Sequence, residues 1–393
     1  MKILSVNAGS SSLKFQAYEM PEESVLISGN FERIGNTNDS FYTIKINGEK
    51  IEKKAPLSNH EDAVNLLTEE LLNNNIVKSL DEIKGIGHRV VAGGDIFNSS
   101  VILDDEKIQQ ISDLSVLAPL HNPGAVIGMK AFKRFIPGAI GTAVFDTAFH
   151  QTMSPSTYLY ALPYEWYTKY KVRRYGAHGT SHKFVAIRLS EILNKNDAKV
   201  IVCHIGNGAS ITAVDSLKCV DTSMGFTPNA GVIMGTRCGD IDASIIPYMM
   251  KQADLSISDI DRIINKESGL LGISRVSNDH RDIEHGIENN DEMCILAEKM
   301  YIRRIVDYIA KYYVLLGGVD AIAFTAGVGE NSYQVRKRVI DSLKVLGIKL
   351  DEEANKVMGR EALITTSDSS IPCYVIPTDE ELMIARDTYN LVK

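Results

Sequence analysis

The chain has 393 residues, 44% of them hydrophobic and 23% charged, and carries a net charge of −8 at neutral pH. That length allows two or more domains, and the composition is that of a globular protein in water. The acidic balance argues against a dedicated nucleic-acid or membrane-surface binder.

In chain order, residues 2–6 predict a strand that runs into the turn Asn7-Ala8-Gly9-Ser10-Ser11-Ser12, with a second strand at 15–18 beyond Lys14. The N-terminus lacks the apolar stretch of a secretory signal. Strands are expected at 41–46, 85–91 and 143–145, and helices at 60–73 and 123–135. A domain break is expected just after Asp146-Thr147-Ala148, with Pro155 and Pro163 marking an irregular connection. Thr180-Ser181 predicts an N-cap for a helix over 181–194. A strand at 200–204 then enters a second turn, His204-Ile205-Gly206-Asn207-Gly208, and leaves through a strand at 211–214. Helices follow at 257–265 and 292–316, the latter with Leu296, Met300, Ile305, Ile309, Tyr312 and Leu316 at near-helical spacing. The apolar stretch 312–329 holds Asp320 and is broken by Gly317-Gly318. It therefore predicts a helix end, a turn and a buried strand at 321–325, not a membrane span. A third glycine turn, 325–331, opens a helix at 333–346, and a strand at 374–376 precedes a last helix at 380–393. Whether that helix returns to the first domain is left open by the sequence. Strands feeding helices in this way indicate an α/β architecture with mixed sheets.

The first two turns lie a domain's length apart, at roughly 200 residues. Overlaid, Asn7 meets His204, Gly9 meets Gly206 and Ser12 meets Ala209. Turns of this kind point backbone N–H groups and hydroxyls into one small space, which suits phosphate oxygens. Two of them imply a duplicated fold that grips phosphate from both sides. No Walker A string occurs, which disfavours a P-loop fold. Arg89, Asp146, Arg237 and Glu380 stand at the ends of apolar strands. Phosphoryl transfer needs such a set: cations for the equatorial oxygens, and carboxylates for Mg²⁺. Any one of them alone reads first as a surface ion pair, so it is the set that carries the reading. His178 and His182 have a metal spacing, but the loop lacks the Glu of zinc-protease chemistry, and His178 fits better as a donor to a transferring phosphoryl group. His121, just before Pro123, is either structural or functional.

The strings NAGSSSLKF, HRVV, LAPLHNP, VFDTAFH, YGAHGTSH, HIGNGAS, MGFTP, GTRCGDID, SNDHRDIE, TAGVGEN and TDEELMIARDT span residues 7–388, nearly the whole chain. Together they resemble the acetate and propionate kinase family. The resemblance implies a two-domain, duplicated ribonuclease H-like α/β fold of the actin, heat-shock ATPase and sugar kinase superfamily. The first domain would be residues 1–148 with a terminal helix at about 381–393, holding the acyl substrate and a phosphate loop. The second would be 149–380, holding nucleotide and the dimer contact. It implies a cytoplasmic homodimer that moves the ATP γ-phosphoryl group reversibly to a short-chain carboxylate, by in-line attack and with Mg²⁺ (or Mn²⁺). By matching position, the resemblance makes Asn7 and Glu380 metal-site residues. It makes Ser10, Ser12, Lys14, the stretch His204, Ile205, Gly206, Asn207 and Gly208, the stretch Asp279, His280 and Arg281, and the stretch Gly327, Val328, Gly329, Glu330 and Asn331 contacts to ATP. Arg89 would bind the carboxylate, beside an acyl pocket of Val91, Leu120, His121, Ala177 and Pro228. Asp146, His178 and Arg237 would complete the catalytic group, with Asp146 an orienter of arginine or metal and not a proton shuttle.

Several positions depart from the family pattern. Ala177 replaces a Phe, Ala92 a His, Arg275 a Gly, and His280 an aromatic beside the adenine; Cys238, Ala243, Asn229 and Ala230 also differ. None removes a charged catalytic group. The Phe-to-Ala exchange opens acyl space and shifts the expected preference toward propionate or butyrate. A sugar kinase of the same superfamily is the alternative, although Arg89 suits an anionic acceptor better.

Overall fold

The computed structural model describes residues 1–393, which divide into two compact units: Met1–Phe149 with Asp379–Lys393, and His150–Thr378. No helix is long and apolar enough to cross a membrane.

The first unit is built on an eight-stranded sheet in the order β5-β4-β3-β2-β1-β6-β8-β7. Its strands are β1 (Lys2–Ala8), β2 (Ser12–Glu19), β3 (Ser24–Glu32), β4 (Phe41–Ile46), β5 (Glu49–Lys54), β6 (Ile83–Val90), β7 (Val101–Ile102) and β8 (Ile140–Phe145). Strand β1 pairs antiparallel with β2 on one side and parallel with β6 on the other. The second unit carries a six-stranded sheet in the order β11-β10-β9-β12-β14-β13. These are β9 (Lys199–Ile205), β10 (Ala209–Asp215), β11 (Lys218–Thr222), β12 (Ala321–Thr325), β13 (Ala362–Leu363) and β14 (Cys373–Val375). Strand β9 pairs antiparallel with β10 and parallel with β12, as β1 does with β2 and β6. Both first hairpins close through three residues, 9–11 and 206–208, in the register that the overlay of Gly9 on Gly206 predicts. The fold is therefore duplicated, mixed α/β and ribonuclease H-like in each half.

The central strands are apolar on both faces because helices cover them. All five residues of β12 and six of the seven in β10 are buried. In the first unit the last helix, Glu380–Val392, lies on β1, β6 and β8. It comes close because β6 carries glycines: a Cβ on Gly87 would stand 2.3 Å from Thr388 Oγ1 and 2.6 Å from Ile384 Cγ2. Thr142 and Thr388 share a buried hydrogen bond of 2.8 Å at the same place.

In the second unit the helix Glu292–Leu316 is the spine of the core, burying Ala297, Tyr301, Ile305, Tyr308, Tyr312 and Leu316. The expected apolar stripe is corrected at its start: Leu296 and Met300 are exposed, and the buried stripe runs instead through Cys294, Ala297 and Tyr301. The helix ends at Leu316 with Gly317 and Gly318 at φ +68° and +104°, followed by β12. Thr180-Ser181 is not an N-cap. The helix Gly179–Leu193 starts earlier, from His178 at φ +57°, so both hydroxyl residues lie in its first turn. The third glycine turn is itself a short helix, Ala326–Asn331, and the next helix stops at Ser342, short of residue 346.

Candidate functional site

In the first unit the β1–β2 turn is closed by Gly9 N–H donating to the Ser12 carbonyl at 2.9 Å. The helix Asn122–Phe135 abuts it, leaving no room for a side chain at Gly124: a Cβ there would stand 2.8 Å from the Gly9 carbonyl. Asn7, at the end of β1, and Ser12 and Lys14, on β2, flank this turn, with Ser10 exposed at its tip. Lys14 forms an ion pair with Glu381.

Arg89, next to last on β6, lies beside Asp146, which follows β8; these parallel neighbours bring the two side chains to one sheet end. Arg89 donates from Nε to Asp146 Oδ2 at 3.1 Å and from Nη2 to the same oxygen at 2.7 Å. Glu380 Oε2 is 3.8 Å from Arg89 Nη2. The Asp146 carboxylate raises the already high pKa of Arg89 against the opposing effect of burial. Burial raises Glu380, which Arg89 opposes and Asp146 reinforces. Glu380 opens its helix, and Asp379 caps it by accepting from Leu382 N–H at 2.8 Å. Asn122 is a residue that the sequence did not flag. Fully buried, it accepts from Ala92 N–H at 3.1 Å and donates to the Ala92 carbonyl at 3.0 Å, fixing the chain just beyond Arg89 and Val91. On the Ala92 side those bonds use backbone groups only, so they do not depend on which side chain stands at position 92. Of the acyl-pocket residues, Val91, Leu120 and His121 belong to the first unit, with Leu120 exposed. Ala177 and Pro228 belong to the second, and Ala177 is buried against its core.

In the second unit a cavity of about 620 Å³ is lined by Gly206, Asn207, Asp279, His280, Arg281, Gly327, Val328 and Asn331, all expected to contact nucleotide. Gly235, Leu270, Asn278, Tyr301, Ser332 and Met358 also line it, without having been anticipated. His204, Ile205, Gly208, Gly329 and Glu330 are not among its walls. Glu330 instead accepts from the backbone N–H groups of Ala326 at 2.8 Å and Thr378 at 3.1 Å, tying the short glycine helix down. The wholly buried Arg336 holds that helix from below, donating to the Gly329 carbonyl at 2.9 Å. Asp279 caps the helix His280–Glu288 and grips the Arg281 guanidinium, whose hydrogen bonds hold its carboxyl down to about 2.

His280 does not stand as a free aromatic wall. Its Nε2 pairs with Glu298 at 2.8 Å, and Arg338 bridges Glu298 at 2.7 Å and Glu284 at 2.5 Å. Burial alone would raise the Glu298 carboxyl, but hydrogen bonds and charge from His280 and Arg338 outweigh it and hold it low. His280, Glu284 and Glu298 could geometrically hold a metal, yet the guanidinium already occupies both carboxylates. Glu298 and Arg338 lie 18 and 58 positions beyond His280, a separation that leaves no local motif.

Arg237 and His178 converge on Gly208. A Cβ there would stand 3.5 Å from Arg237 Nη1 and 3.6 Å from His178 Nε2. Arg237 donates to the Pro228 carbonyl at 3.1 Å and has no carboxylate within ion-pair distance, so burial lowers its pKa. His178 stacks on His204 with ring centroids 4.1 Å apart. His204 Nδ1 pairs with Ser181 Oγ at 2.8 Å, which in turn accepts from Thr378. The second unit thus offers an uncompensated guanidinium and an imidazole around one open space, beside a hairpin turn whose other end lines a nucleotide-sized cavity.

A sequence profile described as the acetokinase family matches residues 2–386. An acetate kinase from Chlorante-Aster yellows phytoplasma is 51% identical over 391 residues, covering 100% of this chain and 95% of that protein. The crystal structure of Porphyromonas gingivalis acetate kinase superposes with a TM-score of 0.94 at 42% identity, over 100% of both chains. A propionate kinase from Francisella tularensis superposes with a TM-score of 0.93 at 40% identity, again over 100% of both.

Proposed function

Because the chain belongs to the acetokinase family, we propose that it catalyses ATP + acetate = ADP + acetyl phosphate, with the residues above in specific roles. The enzyme is a phosphotransferase with a carboxyl group as acceptor. Acetate is ionised at neutral pH and needs no base to become a nucleophile. The protein's task is to let one anion attack another.

In this reading Arg89 binds the acetate carboxylate, and Asp146 orients Arg89 through its paired hydrogen bonds. Arg237 and His178 stabilise the migrating phosphoryl group. The cavity bounded by Gly206, Asn207, His280 and Val328 takes the nucleoside, and Lys14 with the serines of the first turn takes phosphate oxygens. The observation that carries most weight is the meeting of Arg237 Nη1 and His178 Nε2 around the space over Gly208. A guanidinium desolvated and left without a counter-charge is poised for an anionic ligand.

Asn7 and Glu380 are the residues that would hold Mg²⁺, or Mn²⁺ in its place. The donors suit a hard cation: an amide and a carboxylate supply oxygen, and the Asn7 side chain makes no hydrogen bond within the protein. The metal, when bound, would neutralise phosphate charge. Glu380 is kept from full pairing by its 3.8 Å distance to Arg89, while Asp146 takes the guanidinium's short bonds.

The homodimer is part of the same proposal. The helix Ile245–Ala253 buries none of its residues, yet Ile245, Tyr248 and Met249 form one exposed apolar face at i, i+3 and i+4. A second copy is the partner this family reading supplies, and sedimentation at micromolar concentration measures it. We place the enzyme in the cytoplasm, where its nucleotide is held.

One assay tests the catalytic reading. Purified protein is given ATP, Mg²⁺ and acetate, propionate or glucose, with hydroxylamine to trap acyl phosphate. Acyl hydroxamate from the carboxylates and no sugar phosphate is expected; turnover of glucose alone would replace this reading with a sugar kinase.

A further inference from the structure

His178 Nδ1 and His182 Nε2 converge on one hydroxyl, Ser210 Oγ, at 2.9 Å and 2.7 Å. The three residues come from the start of the helix Gly179–Leu193 and from β10, the second strand of the nucleotide-side hairpin. Ser210 and His182 are wholly buried. A serine hydroxyl has one proton, so it can donate to only one of the two rings and must accept from the other. Which way the chain runs decides where His178 carries its proton.

The far side of His182 settles the direction. Its Nδ1 is buried without any hydrogen-bond partner. A proton there would be an orphaned N–H donor in a dry interior, which folded proteins rarely tolerate, whereas an unfilled lone pair is met more often. A second proton on the ring is disfavoured as well: burial, and then the neighbouring His150 and His204, push the imidazole well below its ordinary pKa. The neutral ring with its proton on Nε2 is the arrangement left. Nε2–H then donates to Ser210 Oγ, and the Ser210 hydroxyl donates onward to His178 Nδ1. His178, accepting at Nδ1, keeps its own proton on Nε2.

We propose that Ser210 and His182 are positioning residues that lock His178 in its Nε2–H tautomer, so that a fixed N–H donor faces the space over Gly208 beside Arg237. That atom, with the adjoining Cε1, stands 3.6 Å from a Cβ built on Gly208. In the opposite tautomer, Nε2 would present a lone pair to an anionic group and repel it. No proton is transferred in this arrangement: the N–H bond stays intact, and its hydrogen bond shortens as charge gathers on the equatorial phosphoryl oxygens. The inference rests on the kinase reading for its use, but not for the tautomer itself.

Long-range ¹H–¹⁵N correlation spectra of histidine-labelled enzyme read the tautomer directly, with His178→Gln identifying the His178 signals. The expected result is a protonated Nε2 and a bare Nδ1 at both His178 and His182. A proton on Nδ1 of His178 overturns the proposal. In Ser210→Ala the His178 signals should move toward a mixture of tautomers. kcat should fall by about tenfold while both KM values stay within about twofold, the split expected when only a transition-state contact is weakened. Turnover at the wild-type rate with an unmoved spectrum would also overturn it. A wild-type enzyme that made no acyl phosphate but showed the expected spectrum would instead remove the kinase reading and leave the hydrogen-bond chain standing.

Discussion

Arg89 in the first unit is clasped by Asp146 and flanked by Glu380, whereas Arg237 in the second has no carboxylate within reach and leans on a backbone carbonyl among histidines. The two cations therefore carry different electrostatic weight. A guanidinium already paired presents a tempered positive field and a rigid fork, enough to orient a small monoanion without trapping it. A desolvated guanidinium without a counter-ion gains most when charge appears in front of it, which is the condition for favouring a transition state over a ground state. On the proposed reading, Arg89 serves binding and geometry, and Arg237 serves rate.

The hardest test of that contrast is Arg237→Ala. It is expected to lower kcat by about 10³–10⁵-fold with little change in the KM for acetate, as loss of a transition-state arginine does in other phosphoryl transfers. Steady-state kinetics on protein with an unchanged circular dichroism spectrum would show it. A pure KM effect would reverse the roles assigned here.

Arg89→Met comes next. Removing one partner of a desolvated charged contact costs about 2–5 kcal/mol, roughly 30- to several-thousand-fold, here in kcat/KM for the carboxylate. The pH profile sharpens the comparison. Burial raises Glu380 and Arg89 opposes the rise, so the wild-type acid limb should lie above the ordinary Glu range. Without Arg89 the Glu380 carboxyl rises further, and the residual activity should be lost at a higher pH than in the wild type. An acid limb that stays put would separate Glu380 from the metal-binding role.

The same contrast shows what a sequence can and cannot disclose. Arg89, Asp146, Arg237 and Glu380 are legible because each ends an apolar strand or opens a helix, and the two hairpin turns are legible because glycine and serine cluster where a strand reverses. Partners that meet across long stretches of chain leave no such mark. Glu298 reads as one more acid on a long helix until Arg338, 40 residues on, is seen to close on it. Ser210 reads as a strand serine until His182, 28 residues back, reaches it. Elements with little to bury were equally silent. Strand β5, with the sequence EKIEKK, is exposed throughout and is held by its ladder to β4 at the sheet edge and by Lys53 pairing with Glu70, and lysines there discourage further pairing. The helix Asp105–Asp113 buries just Ile108 and Ile111, too little for a clear periodic signal.

A smaller effect tests how the first unit holds its half of the chemistry. Gly87 allows the helix headed by Glu380 to lie against β6, with a Cβ at that point only 2.3 Å from Thr388 Oγ1. Gly87→Ala should cost about 1–3 kcal/mol of stability through overpacking. It should also weaken Mg²⁺ dependence and acetate binding together, because the helix carries Glu380. Thermal unfolding and a Mg²⁺ titration of activity measure the two parts.

The least effect expected concerns chain length. Ala177 stands where the family pattern has Phe, and each methylene buried in a larger acyl pocket contributes about 0.8 kcal/mol, roughly fourfold. Propionate should therefore match or exceed acetate in kcat/KM by roughly fourfold, well inside the about 10–200-fold that one methylene can discriminate. Ala177 itself is almost wholly buried and belongs to the second unit's core. Two outcomes separate an opened pocket from a refilled one. If the space is open, Ala177→Phe folds normally and narrows the preference to acetate. If neighbours have closed in, the same substitution overpacks the core, lowers Tm, and leaves the ratio of the two specificity constants where it was. A wild-type enzyme with a strong preference for acetate, joined to a destabilised Ala177→Phe, would mean that the exchange was absorbed by packing and that acyl selection rests on the carboxylate grip of Arg89 alone.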